Sequence, residues 1–151
     1  VLTMHLPWPF STFRKNPPRS ETQHAGAWGE EVAAGFLQRR GYRILGRNVR
    51  FGSRSELDIV ARSPAPETLV FVEVKTRRTE DFGRPISAVD RGKRRALGRA
   101  AGQYLRRLRA RPDRIRFDVM EVVGTPDGPM PPVVRHIEHA FSPGPGYRLP
   151  W

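Results

Sequence analysis

The chain has no cysteine, which removes disulfides, thiolate zinc sites and thiol catalysis together. It also has no long apolar run and no basic amphipathic segment with bulky apolar residues at a terminus, so neither spanning a membrane nor lying on one is expected. The opening VLTMHLPWPFSTFRKNPP lacks an uninterrupted apolar region and a small-residue cleavage site. No signal peptide is read there, and the expected address is the cytoplasm. Lysine is scarce too: of 27 basic residues only Lys15, Lys75 and Lys93 are lysine. Acidic residues number 15, leaving a net charge of +12 and a pI near 11.4. That imbalance is the electrostatic footprint of a protein that meets a polyanion, with nucleic acid the first candidate.

At 151 residues the chain is the size of one domain with a sizeable core. Of its 15 prolines, four fall in residues 1–20 and seven in 126–151. The reading is an irregular tail over 1–22, a domain over 23–124, and a Pro/Gly-rich extension over 125–151 in which VVRHIEH, 133–139, alternates enough for a late strand. In HAGAWGEEVAAGFLQRRG, Trp28, Val32, Ala33, Phe36 and Leu37 make a helical stripe stopped by Gly41. YRILGRNVR, ELDIVA and LVFVEVK follow as short strands divided by FGSRS and RSPAPET, an antiparallel meander. Leu97, Ala101, Tyr104 and Leu108 repeat at helical spacing between Asp90 and Arg109, and IRFDVMEVV reads as a further strand. The order is αβββαβ.

Side chains alternate across a strand, so Leu69, Phe71, Glu73 and Lys75 share one face of LVFVEVK. Pairing ELDIVA with LVFVEVK across a connection over 62–68 sets Ala61 opposite Leu69 and Asp58 opposite Val72, one residue from Glu73. Two carboxylates converging there repel unless a cation lies between them or one takes a proton. Hard oxygen ligands of this kind suit Mg²⁺, which takes one or two carboxylates and keeps several waters. Lys75 then stands where an ammonium orients or deprotonates a bound water, or stabilises charge on a phosphate. In a chain that uses arginine almost everywhere, a lysine here favours a role that needs a compact ammonium whose pKa can move. The plainer reading is a solvent-exposed Glu–Lys pair on an edge strand, which contributes little.

On a helical wheel Glu30 lies beside Ala33 and Leu37 and can look inward, whereas Glu31 lies near Gln38 on the far face. An acidic residue early in a helix is also simply favourable to the helix dipole. Lys93 extends the Leu97 stripe by one turn, where an inward lysine can reach a phosphate of a nucleic acid; the plainer reading is a solvated helix end. Twelve basic residues lie between Arg84 and Arg116 against Asp90 and Asp113. Arg95, Arg99 and Arg106 form a ridge opposite the apolar stripe, suited to salt-dependent phosphate contacts; Arg77 adds a cation beside Lys75. No helix-turn-helix or zinc-finger pattern supports sequence-specific readout. His136 and His139 fall on opposite faces of a strand, and GPGYR lacks the context of a phosphate loop.

The order helix glutamate, Asp, Glu-x-Lys resembles the PD-(D/E)xK nucleases of the restriction-endonuclease-like fold. More closely, GAWGEEVAAGFLQRRGYRILGRNVR, SELDIVA, FVEVKTR, FGRPISAV with Lys93, and RFDVMEV together resemble the YraN family of uncharacterised bacterial proteins, described as candidate endonucleases, over about residues 24–123. The resemblance implies a three-layer α/β domain with a mixed central sheet flanked by helices. It implies Asp58 and Glu73 as ligands of Mg²⁺ or Mn²⁺, Lys75 as the catalytic lysine, and Glu30 as a carboxylate supporting the metal through water. The chain reads Ser55-Glu56-Leu57-Asp58 where the family usually has Gly-Glu-Ile-Asp, and Leu57 replaces the proline of the wider motif; the ligand itself is intact. The expected function is metal-dependent hydrolysis of phosphodiester bonds, DNA favoured over RNA, at branched or damaged structures, and a homodimer is compatible with cutting two strands. A non-catalytic nucleic-acid-binding adaptor using the Arg ridge is the first alternative, and an interaction module in DNA uptake or repair the second.

Overall fold

A computed structural model describes residues 20–80 and 89–143. The expected N-terminal tail up to residue 19, most of the FGRPISAV block and the end of the extension from residue 144 lie outside the described residues. The elements are α1 (Glu21–Arg39), β1 (Arg43–Phe51), β2 (Ser55–Arg62), β3 (Leu69–Arg77), α2 (Arg91–Arg106), β4 (Ile115–Val123) and β5 (Val133–Ile137). The five strands form one mixed sheet in the order β1-β2-β3-β4-β5. Only β3 and β4 are parallel, joined through α2, and the other neighbours are antiparallel. The order is thus αβββαββ, one strand longer than the core order read above, because β5 from the Pro/Gly-rich extension pairs with β4.

Each helix covers one face of the sheet. On the α1 side Leu37, Ile59, Val70, Val72, Met120 and Val122 interlock. On the α2 side Leu57, Val60, Phe71, Leu97, Tyr104 and Phe117 do the same, with Phe71 edge-on to Tyr104 at 5.8 Å. This is a three-layer α/β domain, and α2 presents Arg95, Arg99 and Arg106 to solvent, as an amphipathic surface helix must.

α1 starts three residues before the expected His24. Ser20 caps it and Gln23 returns a hydrogen bond to the Ser20 backbone, a reciprocal box that extends the helix beyond its apolar stripe. At the other end Tyr42 N–H donates to the Leu37 carbonyl and Gly41 N–H to the Gln38 carbonyl. Gly41 takes φ +82°, the left-handed conformation this stop requires. Gly29 is demanded by packing instead: a Cβ there would overlap Thr76 Oγ1 on β3. Gly29→Ala is expected to cost about 1–3 kcal/mol, read as a lower urea midpoint, and Thr76→Ala in the same chain should recover part of the loss.

The β2–β3 register is one residue from that expected. Ile59, not Asp58, faces Val72, and Arg62 faces Leu69. The connection is 63–68, closed by a Ser63 N–H bond to the Thr68 carbonyl and by Ser63 Oγ, which donates to the Pro66 carbonyl and accepts from Thr68 N–H. Shortening the loop by a residue slides Asp58 toward Glu73.

Candidate active site

The paired residues of β2 and β3 end at Ile59 and Val72. Beyond them the alternation of β2 breaks: Leu57 packs on the α2 side and Ile59 on the α1 side although they are two residues apart. Asp58 sits at the break. Its Oδ2 accepts the Val74 N–H at 2.8 Å, so a side chain supplies the acceptor where the backbone ladder stops.

Glu73 follows on β3 with only 8% of its surface exposed. Its Oε1 pairs with Lys93 Nζ at 3.1 Å, while Oε2 is buried with no hydrogen-bond partner among the described residues. A buried carboxylate oxygen left unsatisfied is costly and calls for an explanation such as an ion or water. Lys93 therefore reaches inward, as its place on the stripe implied, and finds a carboxylate. Burial opposes its charge, but Glu73, with Asp58 and Glu56 adding to it, raises its pKa.

Burial, then the charge of Glu73, push Asp58 up to about 7, against the lowering effect of the Val74 N–H and Lys93. Because folded Asp58 holds a proton more tightly than an unfolded aspartate near 3.8, its contribution to stability is complete below about pH 4 and is lost as pH rises through about 7. In metal-free buffer the wild-type Tm is therefore expected to fall relative to Asp58→Asn between those limits. Calorimetry of the two proteins over that range checks it; parallel curves would refute it.

Glu30 projects from α1 into a cleft of about 610 Å³ that it shares with Asp58 and Glu56. Its Oε2 accepts from Asn48 Nδ2 at 2.7 Å, and Asn48 has φ +50°, which asparagine tolerates better than most residues. Burial raises the Glu30 pKa, Asn48 opposes that, and Asp58 adds to it. Glu31, expected on the far face, is exposed at the rim of the same cleft. Four carboxylates thus line it together with Arg47 and Arg50.

The structure brings Glu30, Asp58, Glu73 and Lys93 into one electrostatic neighbourhood. Lys75 lies on the Glu73 face of β3, half-buried, level with Glu121 of β4. Arg77 pairs with buried Glu121 at 3.4 Å, and Glu121 also accepts from Arg135 of β5 at 2.9 Å. Asn48, Glu56 and Glu121 are the polar neighbours that sequence reasoning assigned no role. Asn48 carried no periodic signal, and Glu121 was hidden within an apolar strand. Among the described residues no three His, Asp or Glu side chains gather in an arrangement ready to hold a metal ion, and no helix is long and apolar enough to cross a membrane.

His136 serves the interior, whereas His139, exposed and beyond the end of β5 rather than on the strand, contributes only its backbone N–H. Asp118, fully buried, meets His136 Nε2 at 2.8 Å and accepts the His139 N–H at 3.1 Å. It also accepts two bonds of 2.8 Å from Arg116.

These features define a three-layer α/β protein with a carboxylate-rich cleft at the point where two sheet strands part. The chain belongs to the uncharacterised protein family UPF0102, the YraN family, whose sequence pattern matches residues 29–122. It is 48% identical over 120 residues to a UPF0102 protein of Symbiobacterium thermophilum, covering 80% of this chain and 98% of that one. A UPF0102 protein of Pelobacter propionicus is 43% identical over 82% of this chain and 86% of its own. One from Geobacter sulfurreducens is 44% identical over 78% and 88%. These are the proteins the chain is similar to; their names assign no activity.

Proposed function

We propose that this chain is a metal-dependent endonuclease that hydrolyses phosphodiester bonds in DNA, acting on branched or damaged structures. The observation that carries the reading is Glu73 Oε2, buried and unpartnered, beside an Asp58 whose carboxyl is raised by burial and then by the charge of Glu73. Such a pair is relieved by a divalent cation. Mg²⁺ commonly takes only one or two carboxylates and keeps its remaining waters, so the donor set fits it, or Mn²⁺, without a third protein ligand. Asp58 and Glu73 would hold the ion, and Glu30, fixed by Asn48, would reach it through water. A metal bound there supplies a nucleophile at neutral pH and Lewis-acid stabilisation of the phosphate.

The chain's own groups do the rest. Lys75, on the Glu73 face, supplies an ammonium to orient the attacking water, take its proton or neutralise charge on the phosphate. Lys93 holds Glu73 in place. The exposed Arg95, Arg99 and Arg106 ridge of α2 holds the backbone of the nucleic acid through salt-sensitive contacts. Incubating the purified protein with Mg²⁺ or Mn²⁺ and linear, branched and single-stranded DNA and RNA tests the reading. Cleavage of DNA is expected; none with either metal, or cleavage unchanged by Asp58→Ala and Glu73→Ala, would overturn it.

A second reading, a nucleic-acid-binding adaptor that does not cut, is favoured by one observation: Lys93 already neutralises half of the Glu73 carboxylate. Titration calorimetry separates the two, since the adaptor predicts no Mg²⁺ binding at low millimolar concentration.

A further inference from the structure

A second cleft, of about 410 Å³, lies between the tip of the β1–β2 hairpin and the first turns of α2. Arg50, Arg54 and Lys93 line it against a single carboxylate, Glu56, with Ser53 and Ser55 beside them. The two clefts share a wall. Arg50 and Glu56 border both, and Arg50 Nε meets Glu56 Oε1 at 3.0 Å. Their balance of charge is opposite: the first cleft is rich in carboxylates, as a cation site needs, and the second is rich in guanidinium and hydroxyl donors, as a phosphate site needs. Lys93 links them, since it borders the second cleft while its Nζ rests on Glu73 behind the first.

The hairpin is built to present this surface. Phe51 pairs with Ser55, so the turn is Gly52, Ser53 and Arg54, and Gly52 adopts φ +66°, which a side chain would resist. Next to the turn, Phe51 is held to the C-terminal end of α2 by Arg107, whose guanidinium carbon lies 4.6 Å from the centre of the Phe51 ring. Arg54 at the tip is exposed and has no ion-pair partner among the described residues.

We propose that this basic cleft holds a backbone phosphate of a nucleic-acid strand that passes beside the acidic cleft, with Arg54 its main contact. Arg50 and the two serines complete the site. This rests on the nucleic-acid partner of the reading above and not on cleavage.

The test is fluorescence anisotropy of a short labelled oligodeoxythymidine with the full chain in EDTA, over a salt series, comparing wild type with Arg54→Ala, Arg54→Lys and Arg39→Ala. One phosphate contact on a single strand contributes about 0.7 to the slope of log affinity against log salt. Arg54→Ala is expected to reduce the slope by that amount and to weaken binding about fivefold near 0.1 M salt. Arg54→Lys should keep the slope, and Arg39→Ala, at the far end of α1, should leave it unchanged. A wild-type slope in Arg54→Ala, or an equal drop in Arg39→Ala, would overturn the proposal. Unchanged melting curves for Arg54→Ala would assign a loss to the lost contact. A wild type that binds this way yet cuts nothing with Mg²⁺ would remove the nuclease reading and leave this one standing.

Discussion

Asp118→Ala is expected to lower the free energy of unfolding by about 3–5 kcal/mol, the cost of leaving a buried charge without its partner. Asp118 is fully buried and accepts from Arg116 Nε and Nη2, each at 2.8 Å, in a bidentate pair. Arg116 in turn reaches Tyr42 Oη at 2.8 Å and Glu138 at 3.0 Å, and the Tyr42 hydroxyl donates to Glu138 at 3.1 Å. The network joins the end of α1, β4 and the segment after β5. Removing Asp118 leaves the guanidinium with only Glu138 and Tyr42 for its charge and leaves His136 and the His139 N–H without their acceptor. The double change Arg116→Met with Asp118→Leu should cost much less than Asp118→Ala alone, because an apolar pair of similar volume leaves no orphan charge. Urea unfolding of the three proteins decides it; a double variant as unstable as the single one would show that the cost is packing rather than charge.

Glu73→Gln is expected to reduce cleavage about a thousandfold, equivalent to about 4 kcal/mol in the barrier. The amide keeps the shape of the side chain but removes the negative charge that a hard cation would need in a ligand. In the same variant the Asp58 carboxyl loses a repelling neighbour and should titrate at lower pH, so the relative loss of Tm between pH 4 and 7 should shrink. Initial cleavage rates in Mg²⁺ and calorimetry in EDTA read the two effects separately. A variant that cuts at the wild-type rate removes Glu73 from the chemistry, whatever its stability.

The fold was legible wherever hydrophobic periodicity is strong. The apolar stripe of α1, the β-rich runs of β1 to β3 and the Leu97–Tyr104 repeat of α2 each bury a face, and burial is what periodicity reports. The register of β2 against β3 was off by one residue because loop closure by Ser63 and Thr68 is a matter of hydrogen bonds. The break in alternation at Asp58 was invisible for a related reason: Leu57, Ile59 and Val60 are apolar on either side of it. Glu73 and Lys75 could be read as sharing a face from spacing alone. That Lys93 would grip Glu73, and that Asn48 would fix Glu30, depended on how the helices meet the sheet, for which one sequence gives no coordinate. The Ser20–Gln23 capping box lies ahead of the apolar stripe, so a start read from the stripe alone falls too late.

The irregularity between Ile44 and Gly46 in β1 bears on self-association. β1 ends the sheet, and an exposed strand edge is a template on which a second chain can grow. Here the pairing shifts mid-strand and Arg43, Arg47 and Arg50 punctuate the same edge, so a copy arriving alongside would meet a mismatched ladder and like charge. Pairing of two copies along this edge is disfavoured, and at high concentration the edge should resist fibril growth.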